Sequence, residues 1–198
     1  MAKDSSNSQL QSARSRLMRL ALMVLVGLIF LLGLVVLIVW LVLHPKKLQY
    51  SVEDAYITDY HLSGNHVNAT YNFHVQAHNK NKRISVYYDS AEVRVEYDEQ
   101  IVATDVIDPF IQPKRNVTDL YLKLESKDAA LSRHAVRTLR LERTAGSVQL
   151  DLKIKARVRF RLGAWKSKDR TMKIYCNQVV ANWAAGRSFE RKHCDASF

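Results

Sequence analysis

The run from Leu20 to Leu43 constrains this chain more than any other stretch. Its 24 residues carry no charged side chain, and 19 of them are Leu, Ile, Val or Phe. As a helix it spans roughly 36 Å, against a bilayer hydrocarbon core of about 30 Å. Summed at roughly −0.4 kcal/mol per large apolar residue, insertion is favoured by at most about 8 kcal/mol. A buried core helix of this length would show a polar face, and this run has none. The stronger rival is a cleaved signal peptide, because basic residues precede the run. Secretory apolar regions are about 7–15 residues long and end at a small-residue cleavage site. This one is longer and ends Trp40-Leu41-Val42-Leu43-His44-Pro45, with no A-x-A pattern. The reading is an uncleaved signal anchor, with Trp40 placed to fix its depth at the interface.

Charge sets the direction. Arg14, Arg16, Arg19 and Lys3 precede the run, against Lys46 and Lys47 in the stretch after it, so the positive-inside rule puts the N-terminus in the cytosol. Both N-glycosylation sequons, Asn68-Ala69-Thr70 and Asn116-Val117-Thr118, fall after the run. So do the only two cysteines, Cys176 and Cys194, as a pair in an oxidising compartment would. The expected layout is a disordered cytosolic tail (1–19), a transmembrane anchor (20–43) and one extracellular domain (44–198). The net charge of +11 falls mostly on the outer part, with 26 basic and 18 acidic residues. Once that part faces outward, nucleic acid drops out, and lipid head groups or acidic polysaccharide remain as anionic partners.

Beyond Pro45 the pattern changes to period 2. Val67, Ala69, Tyr71, Phe73, Val75 and Ala77 share one face, with Asn68 on the wet face where a glycan is tolerated. Leu48–Thr58, Ile84–Tyr97 (one strand or a bent pair), Ile101–Ile107, Thr118–Leu124, Arg170–Asn182 and Ser188–Cys194 read as further strands. Asp108-Pro109 and Gln112-Pro113 bracket a turn around Phe110. Lys127–Leu141 alone has helical composition. Ser147–Leu162 is the clearest strand, with Val148 to Leu162 apolar at alternate positions and Lys153, Lys155, Arg157, Arg159 and Arg161 on the other face. Seven or eight strands with one apolar face each predict an all-β antiparallel sandwich of two sheets packed face to face.

Motifs for chemistry are sparse. There is no G-x-S-x-G elbow, P-loop or dinucleotide fingerprint, and no C-x-x-C pair for structural zinc. His74 and His78 on one strand face lie about 13 Å apart, too far for one ion. No catalytic, cofactor or metal residue is assigned. Gly27 and Gly33 lack the G-x-x-x-G spacing of a self-associating span. The stripe Lys153–Arg161 reads two ways: a solvated strand face neutralised by acids on its neighbours, or a surface for acidic polymer or lipid. Cys176 and Cys194 are either free buried thiols or a bridge, which would pin the C-terminal segment and contribute roughly 3 kcal/mol.

One ordered set of residues resembles a known family. Asn79-Lys80-Asn81-Lys82-Arg83-Ile84-Ser85-Val86-Tyr87-Tyr88-Asp89 is followed by Pro109-Phe110-Ile111-Gln112 and Asn116-Val117-Thr118. Arg159-Phe160-Arg161-Leu162-Gly163, Trp165 and Ile174-Tyr175-Cys176 come later. With the anchor before them, they resemble the plant harpin-induced-like and non-race-specific disease-resistance-like proteins, whose outer part is a group 2 late-embryogenesis-abundant domain. Lys80 departs from the pattern, which has Pro between the two asparagines. The resemblance implies an immunoglobulin- or fibronectin-like sandwich outside the plasma membrane. It also implies a non-enzymatic role in pathogen defence, hypersensitive-response signalling or stress, through membrane or cell-wall protein partners. The alternative is a stress-protective tether between the membrane and acidic wall polymer.

Overall fold

The computed structural model describes the backbone of residues 4–43 and 46–198, and the side chains of residues 18–38 and 46–198. The expectations for Trp40, Pro45, Arg14 and Arg16 lie outside the described residues or side chains. The chain divides into two compact units, Met1–His44 and Pro45–Phe198.

The first unit is one helix, α1 (Asp4–Leu43). Its segment Met18–Ile38 is long and apolar enough to cross a membrane, and its side chains are exposed along their whole length. The expected disordered tail is corrected over residues 4–19, which are helical. Neither Gly nor Pro occurs between Asp4 and Val26, and a helix nucleated in the apolar run extends at low cost through residues such as Leu10, Ala13 and Leu17.

The second unit is a β domain. In chain order it contains β1 (Gln49–Ser63), β2 (His66–Asn79), β3 (Ile84–Tyr97), β4 (Gln100–Ile107), β5 (Phe110–Gln112) and β6 (Asn116–Ala130). Then follow α2 (Arg133–Ala145), β7 (Ser147–Leu162), β8 (Trp165–Lys166), β9 (Arg170–Asn182) and β10 (Lys192–Ser197). Period-2 sequence becomes period-2 burial: in β7, Val148, Leu150, Leu152, Ile154, Ala156 and Val158 are buried and alternate with polar neighbours. Each fully buried Val or Leu contributes about 1.5–3 kcal/mol relative to exposure.

The predicted helix Lys127–Leu141 is shifted. β6 runs on to Ala130, and α2 begins after Ser132, whose side chain accepts from the Ala135 N–H at 3.0 Å. Serine at this position satisfies an otherwise orphaned helix N–H, and Gly146 at φ 90° ends the helix in the left-handed region. Ala135, Val136 and Leu139 bury the inner face of α2.

The pairing differs from two separate sheets. A single hydrogen-bonded path runs β4-β3-β7-β9-β10-β1-β2-β6, with β5 added beside β3 and β8 beside β7. All ladders are antiparallel apart from one β1–β9 contact at Tyr56 and Asn182. Alternation tells which face of a strand is buried but not where a sheet stops. Here β10, later than the predicted Ser188–Cys194, fits between β9 and β1 and carries the ladder across. Bulges in β1, β3 and β9 bend the sheet, and its ends β4 and β6 lie side by side without a ladder, so the domain is nearly a barrel.

Candidate functional site

The basic face of β7 is the surface that the sequence singled out, and its five cations have different fates. Arg159 is bidentate to Asp89: its Nε donates to Oδ2 at 2.7 Å, and its Nη2 donates to the other oxygen. Asp89 is the extra residue of the β3 bulge between Tyr88 and Ser90, so the bulge delivers the carboxylate. Lys153 donates to Glu96, and that hydrogen bond raises its ammonium pKa above the ordinary value. Arg161 donates to the Tyr87 hydroxyl at 2.8 Å and the Gly163 carbonyl at 3.0 Å. Lys155 lies opposite Glu92, but that carboxylate is 2.6 Å from Arg94. Arg157 lies between Ser90 and Thr171. Among the described residues Lys155 and Arg157 have no ion pair, and Lys173 sits beside Lys155 across the β7–β9 ladder. Lys155 and Lys173 border a groove of about 240 Å³ that also includes Tyr175, Arg94, Glu92 and Glu96. The stripe is therefore partly neutralised by β3 and partly free.

The remaining sequence-assigned residues are dispersed. Cys176 in β9 and Cys194 in β10 form a disulfide, with Cα atoms 4.3 Å apart. Asn116 is exposed at the first position of β6. Asn68 is half-buried, and its side-chain oxygen accepts from the Asp128 N–H at 2.6 Å, so its face is drier than alternation suggests. His74 stacks on Tyr121 and donates to Asp119 at 2.8 Å. Hydrogen bonds from His74 and Gln76 hold the Asp119 carboxyl below its ordinary range. Among the described residues no His, Cys, Asp or Glu cluster is large enough to hold a metal ion.

Sequence reasoning missed a buried polar network that ties the recurring motifs together. Gln112 is fully buried; it donates to the Ala77 carbonyl at 2.6 Å and accepts from the Tyr88 hydroxyl at 3.1 Å. Tyr88 is hydrogen-bonded in turn to the buried Tyr50 hydroxyl and stacks on Phe110. Asn79 donates to the carbonyls of Ile84 and Pro113, at 2.8 and 3.0 Å. Asn81 grips the backbone of Lys46 in both directions, donating to its carbonyl and accepting from its N–H, each at 2.8 Å. These are structural roles, because each polar atom is satisfied inside the fold. The signal available in the sequence was Gln112 on a short apolar strand and two asparagines flanking a basic turn.

A groove of about 580 Å³ lies where β4 and β6 approach without pairing, lined by Ile101–Asp105, Lys123, Glu125 and Lys127. Glu125 stands 3.9 Å from Lys123 and 3.7 Å from Lys127, so its charge is balanced locally.

Fold and surface together define a class: a nearly closed antiparallel β domain following an apolar N-terminal helix, with buried polar residues used for architecture. The profile of the LEA_2 family, late embryogenesis abundant protein, matches residues 74–177. The chain belongs to this family, together with relatives of the NDR1/HIN1-like kind. An uncharacterized Arabidopsis thaliana protein is 33% identical over 161 residues, covering 79% of this chain and 73% of that one. NDR1/HIN1-like protein 10 of Arabidopsis thaliana is 32% identical over 167 residues, covering 82% and 73%. NDR1/HIN1-like protein 3 of the same plant is 31% identical over 168 residues, covering 81% and 72%.

Proposed function

We propose that this chain is a non-enzymatic, single-pass plasma-membrane protein of plant defence, acting in hypersensitive-response signalling or scaffolding through protein partners at the membrane or wall. Likeness to NDR1/HIN1-like proteins over about four-fifths of the chain carries the reading. The exposed apolar helix supports the anchor. The bridged cysteines and both sequons follow that helix, which supports a cytosolic N-terminus and an extracellular β domain. The domain then acts as an immunoglobulin- or fibronectin-like module, a stiff frame whose loops and edges present contacts. Its buried Tyr50, Asn79, Tyr88 and Gln112 are committed to internal hydrogen bonds, which suits a binding module better than a catalyst.

Proximity labelling from a tag on the β domain, in leaf cells before and after an immune trigger, tests this. Membrane or wall-associated immune proteins are expected to be recovered, with their set changing on the trigger. Recovery of none in either state would sink the proposal. A second reading, a tether to acidic wall polymer, is favoured by the unpaired Lys155, Arg157 and Lys173. Its contacts are charge-dominated, so binding to polygalacturonate should fall steeply with salt. A protein contact through apolar surface should survive moderate salt.

A further inference from the structure

We propose that the end of the β domain where the chain enters it is a basic collar that docks on phosphate head groups of the bilayer holding the anchor. This rests on the anchored reading above and adds a second, reversible membrane contact to it. The placement follows from register. Gln49 pairs with His78, Asn79 with Asn116, and Ile84 with Leu162, so four segments distant in sequence meet at one end. Asn81 fastens Lys46 there, and the Arg115 N–H donates to the Asn81 carbonyl at 3.0 Å.

The side chains gathered at that end have one sign. Lys47, Lys80, Lys82, Arg83, Lys114 and Arg115 are all exposed, and none is in an ion pair among the described residues. The turns that carry these six residues contain no carboxylate, and Asp169, in the β8–β9 connection, is drawn to Arg159 at 3.7 Å, whereas the β3–β4 turn at the other end carries Asp98 and Glu99. Trp165 opens the β8 strand beside Leu162, and 62% of it is exposed. An exposed indole among cations is the pairing that suits a wet, phosphate-rich interface. Lys46 follows the last helical residue, Leu43, by three residues, a reach of at most about 11 Å of extended chain. A Debye length of about 8–10 Å at physiological salt leaves charges on this end within electrostatic range of a nearby lipid surface. Acidic polymer offers charge too, but nothing holds it at this end of the domain. The bilayer is held there covalently.

The test uses the full chain carrying Trp40→Phe, inserted in nanodiscs of phosphatidylcholine with or without phosphatidylglycerol, each doped with a head-group nitroxide lipid. The Trp165 signal is the fluorescence lost on adding Trp165→Phe. It is expected to be quenched, more strongly with phosphatidylglycerol, and released in molar salt. It is also expected to be largely released in each of two charge-reversed chains, Lys80→Glu/Lys82→Glu/Arg83→Glu and Lys114→Glu/Arg115→Glu, with unchanged far-ultraviolet dichroism. A chain retained in the disc whose Trp165 is unquenched, or whose quenching ignores both reversals, overturns the collar and leaves the anchor standing. Release of the chain from the disc overturns both. Salt-sensitive binding of polygalacturonate through these residues, with Trp165 unquenched, assigns the surface to polymer and overturns the lipid contact.

Discussion

Tyr50, Tyr71 and Tyr88 put phenols where only their neutral forms are tolerated. Burial raises the pKa of all three above the ordinary 10.0, and for Tyr50 the neighbouring Tyr88 adds to the rise. A group whose folded pKa is raised gives stability that is complete below the unfolded pKa and is lost as pH climbs beyond it. The unfolded chain sheds these protons from about pH 10, while the folded one retains them, so stability should fall steadily above that pH. Denaturant midpoints taken from neutral into alkaline buffer check the slope, with phenolate absorbance expected to rise together with loss of β dichroism. Tyr71→Phe removes one of the titrating groups and should flatten the fall. An alkaline limb unchanged in that variant would exclude Tyr71 as a contributor. None of this was legible beforehand. Alternation marks a tyrosine as inward-facing, but the Tyr50 and Tyr88 hydroxyls meet each other across β1 and β3, with Gln112 from β5, only in the folded register.

Among the elements, β7 and β9 keep the bounds read from the sequence; β7 alternates unbroken from Val148 to Val158, which leaves one choice of face, whereas β9 breaks its alternation between Cys176 and Val179. β10 is harder. It has six residues, only one of them, Ala196, apolar apart from its cysteine, and its place is decided by what it sits between. The basic stripe of β7 was equally half-readable. Its charge is local, but Asp89 and Glu96 reach it from β3 through a bulge that no alternation encodes. The Cys176–Cys194 bridge fixes β10 against β9, and removing it frees a loop of 18 positions at a cost of roughly 3 kcal/mol. Cys194→Ser should lower the denaturant midpoint accordingly and increase amide exchange first along β10 and the adjoining part of β1. Exchange spread evenly over the domain would show that the bridge does not act through that strand.

At the scale of the whole molecule, the two sequons report on sidedness and on folding together. Asn116 stands exposed at a strand start, whereas Asn68 is half-buried and engaged with the β6 backbone. In secretory-pathway expression, Asn116→Gln should remove a glycan-sized mass, and Asn68→Gln should remove less on average. Mass spectrometry of the glycosidase-treated full chain decides it. Absence of any glycan at either site would weaken the outward placement of the domain. The sequence could place the sequons after the apolar run, but it could not rank them, since Asp128 meets Asn68 only across the β2–β6 ladder.

The grip of Asn81 on Lys46 also has a mechanical meaning. Tension applied at Lys46 enters the first strand, which is clasped by β2 along most of its length and by β10 near its start. A pull along that strand loads its ladder bonds simultaneously, as a lap joint is loaded, instead of opening them one after another like a zip. A domain entered through its first strand in this way meets a pull on its N-terminal end with the whole β1–β2 ladder at once.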